Sequence, residues 1–388
     1  MARIRRPNSG LLTRYACPVV LAYTLLIAGC SGAPTAEGGA DTEGEPDEGG
    51  AMSLDDVYAE LEGMTGDERR EQLVELATGE CDQQITVYTT MNVEDISPVL
   101  EQFSEDTGLD VEQYRAPNQN IVRRVLQEED ANVADVADVI AVNDVEQEIL
   151  AREGILAPLN TPATEANAVV EDTWAGAYLA VYIAAWNTDE VDDSEAPTSW
   201  EEVLETDGMA YQFGDFAWFA TLINDWYVEE QGMTEGEAVE LVKNAVRDGA
   251  QAVDGHTLGA ELLVAGEYSA ASSLYHHTIA PLIEDGAPLA WEPVVEPMIV
   301  RSNGVGMHRR TPCPATSLLL TEYMLTDMQE MLPEFGRTPA VQGIPGGFPA
   351  EYDTMPMNLD LVLDNQEKWE SVNEEITAAI GGEVLEED

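Results

Sequence analysis

The chain has 388 residues, and its 17 lysines and arginines stand against 75 aspartates and glutamates, giving a formal net charge of −58. Such an acidic chain excludes a nucleic-acid partner, because phosphate binding needs a basic surface. Apolar residues make up 44% of the chain, which is enough for a folded core, and the length predicts about two domains. The four cysteines are too few for a small scaffold built from disulfides.

The acidic residues are spread along the whole chain rather than gathered in one tail. Repulsion among them loosens a compact fold in dilute buffer, and salt at about 1 M screens it by shortening the Debye length to about 3 Å. We therefore predict a halophile-like protein that works in a salt-rich medium. Two alternatives stay open: an ordinary acidic exported protein kept soluble by its charge, and a surface that gathers cations.

The first 29 residues have the pattern of an export signal. Three arginines precede residue 7, and an apolar run follows over residues 18–27. This run is too short for a membrane-spanning helix, which needs about 20 residues. Residues 26–30 (LIAGC) resemble a bacterial lipobox, in which the cysteine, here Cys30, is lipidated and becomes the mature N-terminus.

Residues 30–52 contain mainly glycine, alanine, threonine, proline and acidic residues. Such a segment buries too little apolar surface to become ordered, so we predict a flexible acidic linker. Residues 53–80 follow as a short helical lead-in, with one helix starting near Ser53 and a second near Gly66. No later stretch is long and apolar enough to cross a bilayer. We therefore expect an exported protein that is lipid-anchored to the outer face of the cell membrane.

Beyond residue 80 the pattern is that of alternating strands and helices. β-Branched residues predict a strand over 85–89. Apolar residues at helical spacing then predict a helix that Gly108 ends. Two further strand–helix pairs follow, with strands at 109–114 and 136–142. This order predicts a parallel sheet with right-handed crossovers.

Polar residues follow each of these three strands. In parallel sheets ligands bind beyond the C-terminal ends of the strands, so these residues are candidates for ligand contact. They are Thr89, Thr90, Asn92, Asn118, Asn120 and Asn143. The first three residues have the start of a helix as an alternative role, and Asn118 and Asn120 have a turn.

A second α/β unit is predicted over about 190–292, after a long apolar strand at 177–183 that carries Tyr178 and Tyr182. A further apolar strand at 297–307 returns the chain to the first unit, so the chain crosses between lobes near 178–187 and 293–303. Paired extended crossings make a hinge. We predict that lobe 1 comprises residues 81–183 and about 300–335, and that lobe 2 comprises about 187–295 and about 340–385.

The second unit supplies its own candidate residues for binding. Asp215 and Trp218 form an acidic and aromatic loop that lines a cleft or packs in the lobe core. His256 and Thr257 precede an apolar helix, where Thr257 is a candidate N-cap and the helix start offers N–H groups to an anion.

A strand of the same unit ends at Tyr275, followed by His276. Phenolate and imidazole suit a harder transition metal ion, so these two residues are also metal candidates, with a polar strand end as the alternative. Tyr178 and Tyr182 lie on one strand face near the hinge, and we predict a structural role for them.

No enzyme motif is present in the sequence. It contains no CxxC metal motif, no GxSxG, no phosphate-binding P-loop and no HExxH. We therefore expect that the protein is not an enzyme and that it has no cofactor, with a metal ion bound as a ligand left open.

Seven segments between about 80 and 350 resemble the extracellular solute-binding proteins of bacterial ABC importers, and among them the iron(III)-type branch. They are 85–90 (ITVYTT), 134–140 (ADVADVI), 154–159 (GILAPL), 197–204 (PTSWEEVL), 261–267 (ELLVAGE), 302–306 (SNGVG) and 336–341 (GRTPAV). The resemblance implies an α/β, two-lobed type II periplasmic-binding-protein-like fold, in which each lobe is a mainly parallel sheet flanked by helices. It also implies a small solute in the cleft between the lobes, delivery to an ABC permease with its ATPase, and a monomer.

The metal-binding residues of that branch are only partly matched. Iron-binding members often use two adjacent tyrosines, whereas residues 275–277 here read Tyr-His-His. The loop after the first strand, residues 90–92, has no histidine. The solute is therefore left open between iron or another metal complex and a small anionic organic solute.

The fold that the resemblance implies also bears on two cysteines. Its returning strand runs antiparallel, so Cys81 and Cys313 can lie at the same base of lobe 1. An exported location permits a disulfide, and we predict that these two residues are bridged.

The function predicted from these observations is that of a lipid-anchored receptor that captures a small solute for an ABC importer. A ligand-sensing or adhesion lipoprotein on the same fold, without transport, is the alternative.

Overall fold

The computed structural model of the protein describes residues 52–81, 84–133, 136–212, 215–247, 250–345, 348–349, 352–380 and 385–386. The predicted export signal, Cys30 and nearly all of the predicted linker lie outside these residues.

The described helices are numbered α1 to α14 in chain order. They are Leu54–Glu60, Gly66–Ala77, Val93–Thr107, Asn118–Asp130, Asp144–Arg152, Trp200–Leu204, Phe216–Thr221, Glu235–Arg247, His256–Val264, His276–Glu284, Pro314–Leu325, Asp327–Met331, Leu359–Asp364 and Gln366–Ile380. A π-helix, Leu222–Glu230, continues α7, and short 3₁₀ turns lie at Pro162–Thr164 and Leu332–Phe335.

The described strands are numbered β1 to β12. They are Ile85–Thr89, Val111–Arg115, Val139–Asn143, Trp174–Asn187, Met209–Gln212, Gln251–Asp254, Ala270–Tyr275, Leu289–Ala290, Met298–Met307, Thr338–Pro339, Thr354–Pro356 and Leu385–Glu386.

Local sequence explains where the first helices begin and end. The Ser53 side chain accepts a hydrogen bond from the backbone N–H of Asp56, and the Asp56 side chain accepts one from the Ser53 N–H. This reciprocal capping box fixes the start of α1. Gly108, with φ of 74°, ends α3 in the left-handed conformation that glycine adopts without a steric cost. Both boundaries confirm the sequence prediction.

The strands follow the order β12-β6-β5-β7-β4-β9-β3-β1-β2. β1 pairs in parallel with β2 and β3, and β5 pairs in parallel with β6 and β7. These two parallel units confirm the predicted α/β fold class. Between them, β4 and β9 run antiparallel to each other.

β4 connects the two units because its halves pair with different strands. Residues from Trp174 to Val181 pair with β9, and residues from Tyr182 to Trp186 pair with β7. We call the β2-β1-β3 side lobe 1 and the β12-β6-β5-β7 side lobe 2. Val181 and Tyr182 therefore mark the point where the chain passes from one lobe to the other.

Each lobe has its own apolar core. In lobe 1, Phe103 and Tyr323 pack in the cluster between the sheet and the helices α3 and α11. In lobe 2, Trp200 and Trp218 pack with Trp369 of α14. The C-terminal helices thus return to lobe 2, since Trp369 is fully buried there.

The helical lead-in is fastened to lobe 1. α2 packs on α11, and Arg69 makes an ion pair with Glu322 of α11 at 2.7 Å. A disulfide joins Cys81 to Cys313, with their Cα atoms 5.9 Å apart. Among the helices that the structure describes, none is both long and apolar enough to cross a membrane.

Candidate functional site

The candidate site lies where β4 and β9 cross between the lobes. Directly opposed residues in an antiparallel pair project to the same face of a sheet. Tyr178 opposes Asn303, and Ala180 opposes Arg301, so these side chains share one face. The crossing is otherwise apolar, but this face is polar because it carries Tyr178, Tyr182, Arg301 and Asn303.

Arg301 is the centre of a buried polar network on this face. Its Nη2 donates to Asp144 Oδ1 at 3.0 Å, and its Nη1 donates to the Tyr182 hydroxyl at 3.5 Å, which is a weak bond. Asp144 is the first residue of α5 in lobe 1, and its other carboxylate oxygen accepts from the Ser302 N–H at 2.9 Å. The guanidinium therefore joins β9, which we call the hinge strand, to lobe 1.

The network continues into lobe 2 through Tyr182. The Tyr182 hydroxyl lies 3.3 Å from the Tyr275 hydroxyl and donates to Asp215 Oδ1 at 3.3 Å. The second oxygen of Asp215 lies 2.8 Å from His256 Nε2. Asp215 follows β5, His256 follows β6 and Tyr275 ends β7. Each of these three parallel strands thus places one side chain at its C-terminal end, where ligands bind in such sheets.

Three aromatic rings of lobe 2 stack on one another, those of His256, Tyr275 and His277. Together with Asp215 we call them the floor of the site. The Tyr275 ring has its centroid 3.9 Å from that of His256 and 5.0 Å from that of His277. The Nδ1 atoms of both histidines are buried, and neither has a hydrogen-bond partner among the described residues. His276 lies in a different cluster, edge-on to Trp291 and Phe348.

Lobe 1 contributes a set of amides and hydroxyls. The Asn303 side chain donates to Thr90 Oγ1 at 2.9 Å and to Asn143 Oδ1 at 3.2 Å. The N–H of Asn143 donates to Asn118 Oδ1 at 3.0 Å. The ends of β1 and β3 and the start of α4 are thus tied to the hinge strand.

The electrostatics of the floor keep its ionisable groups in defined states. Burial, followed by the charge of Asp215, raises the pKa of the Tyr275 hydroxyl to about 12. Burial also raises the pKa of Asp215, but His256 and Arg301 outweigh it, so this pKa lies below its ordinary value. Burial and then the charge of Arg337 lower the pKa of His277 to about 3. The floor therefore holds a carboxylate, a neutral phenol and a neutral His277.

Several of the predicted site residues lie elsewhere. Thr89 is fully buried, and its hydroxyl accepts from the Met91 N–H instead of facing the crossing. Trp218 is 2% exposed and packs against Trp200 in the core of lobe 2. Asn120 is exposed in the first turn of α4. Trp218 thus takes its alternative role in the lobe core, whereas Thr89 lies at the end of β1 rather than at a helix start, and Asn120 lies within α4 rather than in a turn.

Two further predictions in this region concern helix starts. Thr257 is not the N-cap of its helix, because α9 already begins at His256 and Gly255 occupies the cap position with φ of 119°. The prediction was wrong because glycine adopts this backbone conformation without a polar side chain. Asn92 is the N-cap residue of α3, is exposed, and accepts from Arg115 at 3.3 Å.

Sequence reasoning did not place Arg301 in the site and gave Tyr182 a structural role, whereas Asp144 and His277 stand beside the chosen candidates Asn143 and His276. Arg301 left a signal, since it is a charged residue within a strand that is otherwise mostly apolar. Tyr182 left none, because its hydroxyl joins the network only through the pairing of β4 with β7.

The structure does not bring the predicted metal-binding residues together. In the part of the chain that the structure describes, no three histidine, cysteine, aspartate or glutamate residues are arranged to hold a metal ion. Tyr275 and His276, the predicted metal pair, lie in separate ring clusters.

Comparison with known proteins supports the fold. No protein-family model matches the chain, and no curated protein matches it in sequence. In structure it is similar to IdiA (FutA) of Trichodesmium in complex with iron and citrate, with 19% identity and a TM-score of 0.62 over 76% of this chain and 99% of that one. It is also similar to an ABC transporter protein of Clostridium perfringens, with 12% identity and a TM-score of 0.62 over 76% and 100% of the two chains.

A third similar structure is described as a GABA receptor, with 14% identity and a TM-score of 0.60 over 77% of this chain and 98% of that one. These neighbours are thus described as a protein in complex with iron and citrate, an ABC transporter and a GABA receptor. The chain has the type II periplasmic-binding-protein-like fold of these proteins.

Proposed function

We propose that the protein is a lipid-anchored receptor of an ABC importer that captures a small solute between its lobes and delivers it to a permease. The observation that carries the proposal is the polar network at the crossing. Asp144 from lobe 1 and Asp215, His256 and Tyr275 from lobe 2 meet around Arg301 of the hinge strand. A ligand that contacts both groups favours the closed arrangement by its greater affinity for it.

The anchor and the partners rest on other observations. The lipobox-like sequence that ends at Cys30 supports lipid attachment at the outer face of the membrane. The similarity to ABC-transporter proteins supports a permease and its ATPase as partners. One neighbour is in complex with iron and citrate, and another is described as a GABA receptor. The fold alone therefore leaves a metal complex and a small organic anion as solute classes.

A thermal-shift screen in molar salt tests the proposal. The probes are ferric complexes, phosphonates, polyamines and sugars. A ligand that binds only the folded form stabilises it by about 2.7 kcal/mol at 100 times its dissociation constant. We expect one class to raise the melting temperature of the wild type.

The matched variants are Tyr275→Phe and Tyr268→Phe. Tyr275 lies in the network, whereas Tyr268 is a buried tyrosine of lobe 2 whose hydroxyl has no hydrogen-bond partner among the described residues. The ligand-induced shift should shrink in the first variant and persist in the second. If no class shifts the wild type, or if both variants respond alike, the crossing is not a solute site.

A further inference from the structure

Arg301 is a buried cation with an unused donor. Its side chain is only 14% exposed, and burying a charge is costly unless it is paired. Asp144 pairs with one end of the guanidinium, but the Nε–H is buried and has no partner among the described residues. An unpaired buried donor costs about 1–3 kcal/mol, so the position favours a ligand that brings an acceptor.

Other unpaired groups surround the same place. Tyr275, which lies near Arg301, is flanked by the rings of His256 and His277, and each of those rings has a buried Nδ1 without a partner. Each of these Nδ1 atoms donates or accepts according to the tautomer of its ring. The N–H groups of Arg301 can only donate, and their planar fork fits the two or three acceptor oxygens of a carboxylate or phosphonate. Arg301 thus favours an oxygen-rich anionic group.

The same geometry disfavours a bare metal ion. Tyr275 supplies only a neutral phenol, and the carboxylates of Asp144 and Asp215 are already paired with Arg301 and His256. The Arg301 guanidinium also repels a cation. A metal ion binds here more favourably when an organic chelator already surrounds it with carboxylates.

We infer that Arg301 is the residue that selects the solute, and that the solute is a small organic anion bearing carboxylate or phosphonate groups, either free or as a metal chelate. The inference rests on the proposed function and deepens it by naming the solute class. Because the guanidinium also holds Asp144, the bound anion and this carboxylate share one positive charge.

Substitutions of the two members of this pair have different expected effects. Arg301→Met removes the donor, and anion affinity should fall about tenfold or more, the equivalent of a charge-assisted hydrogen bond. Asp144→Asn leaves the guanidinium in place with less of its charge neutralised, so anion affinity should hold or rise. A residue that only supports the fold would lower affinity in both variants.

Isothermal titration calorimetry in molar potassium chloride measures these effects with citrate, 2-aminoethylphosphonate, ferric citrate and spermidine as probes. We expect at least one of the first three to bind the wild type and spermidine not to bind. Binding of citrate without iron identifies a free anion, and binding of ferric citrate alone identifies a chelate. Arg301→Lys, which keeps the charge but loses the fork of donors, should bind with intermediate affinity and serves if Arg301→Met does not fold. Arg152→Met is the control, since Arg152 pairs with Glu148 and Asp360 outside the network.

The outcomes separate the inference from the proposed function. An anionic probe that binds Arg301→Met as tightly as the wild type overturns the inference. So does binding by spermidine or by a sugar in place of the anions, although a receptor function then stands. If no probe in either screen binds, both are overturned.

Discussion

His308 shows how strongly one buried side chain is affected by its surroundings. It is 1% exposed at the base of lobe 1, and its Nδ1 accepts from the Arg310 N–H at 3.0 Å. Its Nε2 lies 3.8 Å from Glu129 Oε2. Burial lowers its pKa to about 4, so the folded protein holds a neutral imidazole at pH values where an exposed histidine is charged.

This difference predicts a pH dependence of stability. Between the ordinary pKa of about 6.5 and the lowered value of about 4, the unfolded chain binds a proton that the folded chain does not. The contribution is fully present above pH 6.5, and the free energy of unfolding should decrease as the pH falls from there. Denaturant titrations at pH 7.5 and 5 measure it.

His308→Gln is the comparison, because it removes the titrating group while the other acidic and basic groups remain. The variant should lose less stability than the wild type between the two pH values. Equal losses would show that His308 does not carry the effect.

For single residues, the sequence predicts which residues lie near the site better than it predicts which way their side chains point. Thr90 and Asn143 were predicted because they follow strands, and the ends of parallel strands meet at one edge. Tyr275 was predicted as a strand end, and His256 as the start of a helix. Thr89 could not be separated from Thr90 in this way. Which of the two faces the crossing depends on the pleat of β1 and on the start of α3, and neither is a property of residue type.

Among the elements, β9 lies unusually close to its neighbours. A Cβ placed on Gly304 would lie 2.6 Å from Trp174 Cε3 and 3.0 Å from Gln147 Cγ. Both of these residues are fully buried, so neither moves aside freely. The absence of a side chain at Gly304 is what lets the hinge strand pack on lobe 1.

We expect Gly304→Ala to lower the free energy of unfolding by about 1–3 kcal/mol, the usual cost of overpacking a core. Gly236→Ala in α8 is the matched control, because a Cβ there meets nothing within 4 Å and alanine favours a helix. Guanidinium denaturation compares the two. Equal stability of both variants would mean that β9 adjusts to the methyl group.

Element prediction worked for lobe 1 and less well for lobe 2. The first three strands alternate with clear helical patterns, so β1 to β3 and α3 to α5 were predicted close to their observed positions. β5 and β6 have four residues each, and such short strands carry too little periodicity to identify. They form because parallel partners from distant parts of the chain pair with them.

For the whole molecule, the charge of −58 is the dominant global property. The ion pairs within the described residues are formed by few cations, and Arg152 alone contacts three carboxylates. Most acidic side chains are thus left to repel one another, and added salt screens that repulsion. The two-lobed arrangement itself was predictable, since the order of the strands and the resemblance both imply it.

We expect the melting temperature to rise when potassium chloride is raised from about 0.1 M to about 2 M, since the Debye length falls from about 10 Å to below about 3 Å. Sucrose at equal osmolarity is the control, because it stabilises compact states without screening charge. Differential scanning calorimetry gives both curves. A rise no larger in salt than in sucrose would exclude charge screening as the cause.

The two ends of the described chain lie on different lobes. α1 packs on lobe 1, and β12 pairs with β6 of lobe 2. Fluorescent proteins fused ahead of α1 and after β12 would therefore report lobe movement as a change in energy transfer. The fold thereby offers a genetically encoded optical sensor for the solute proposed above.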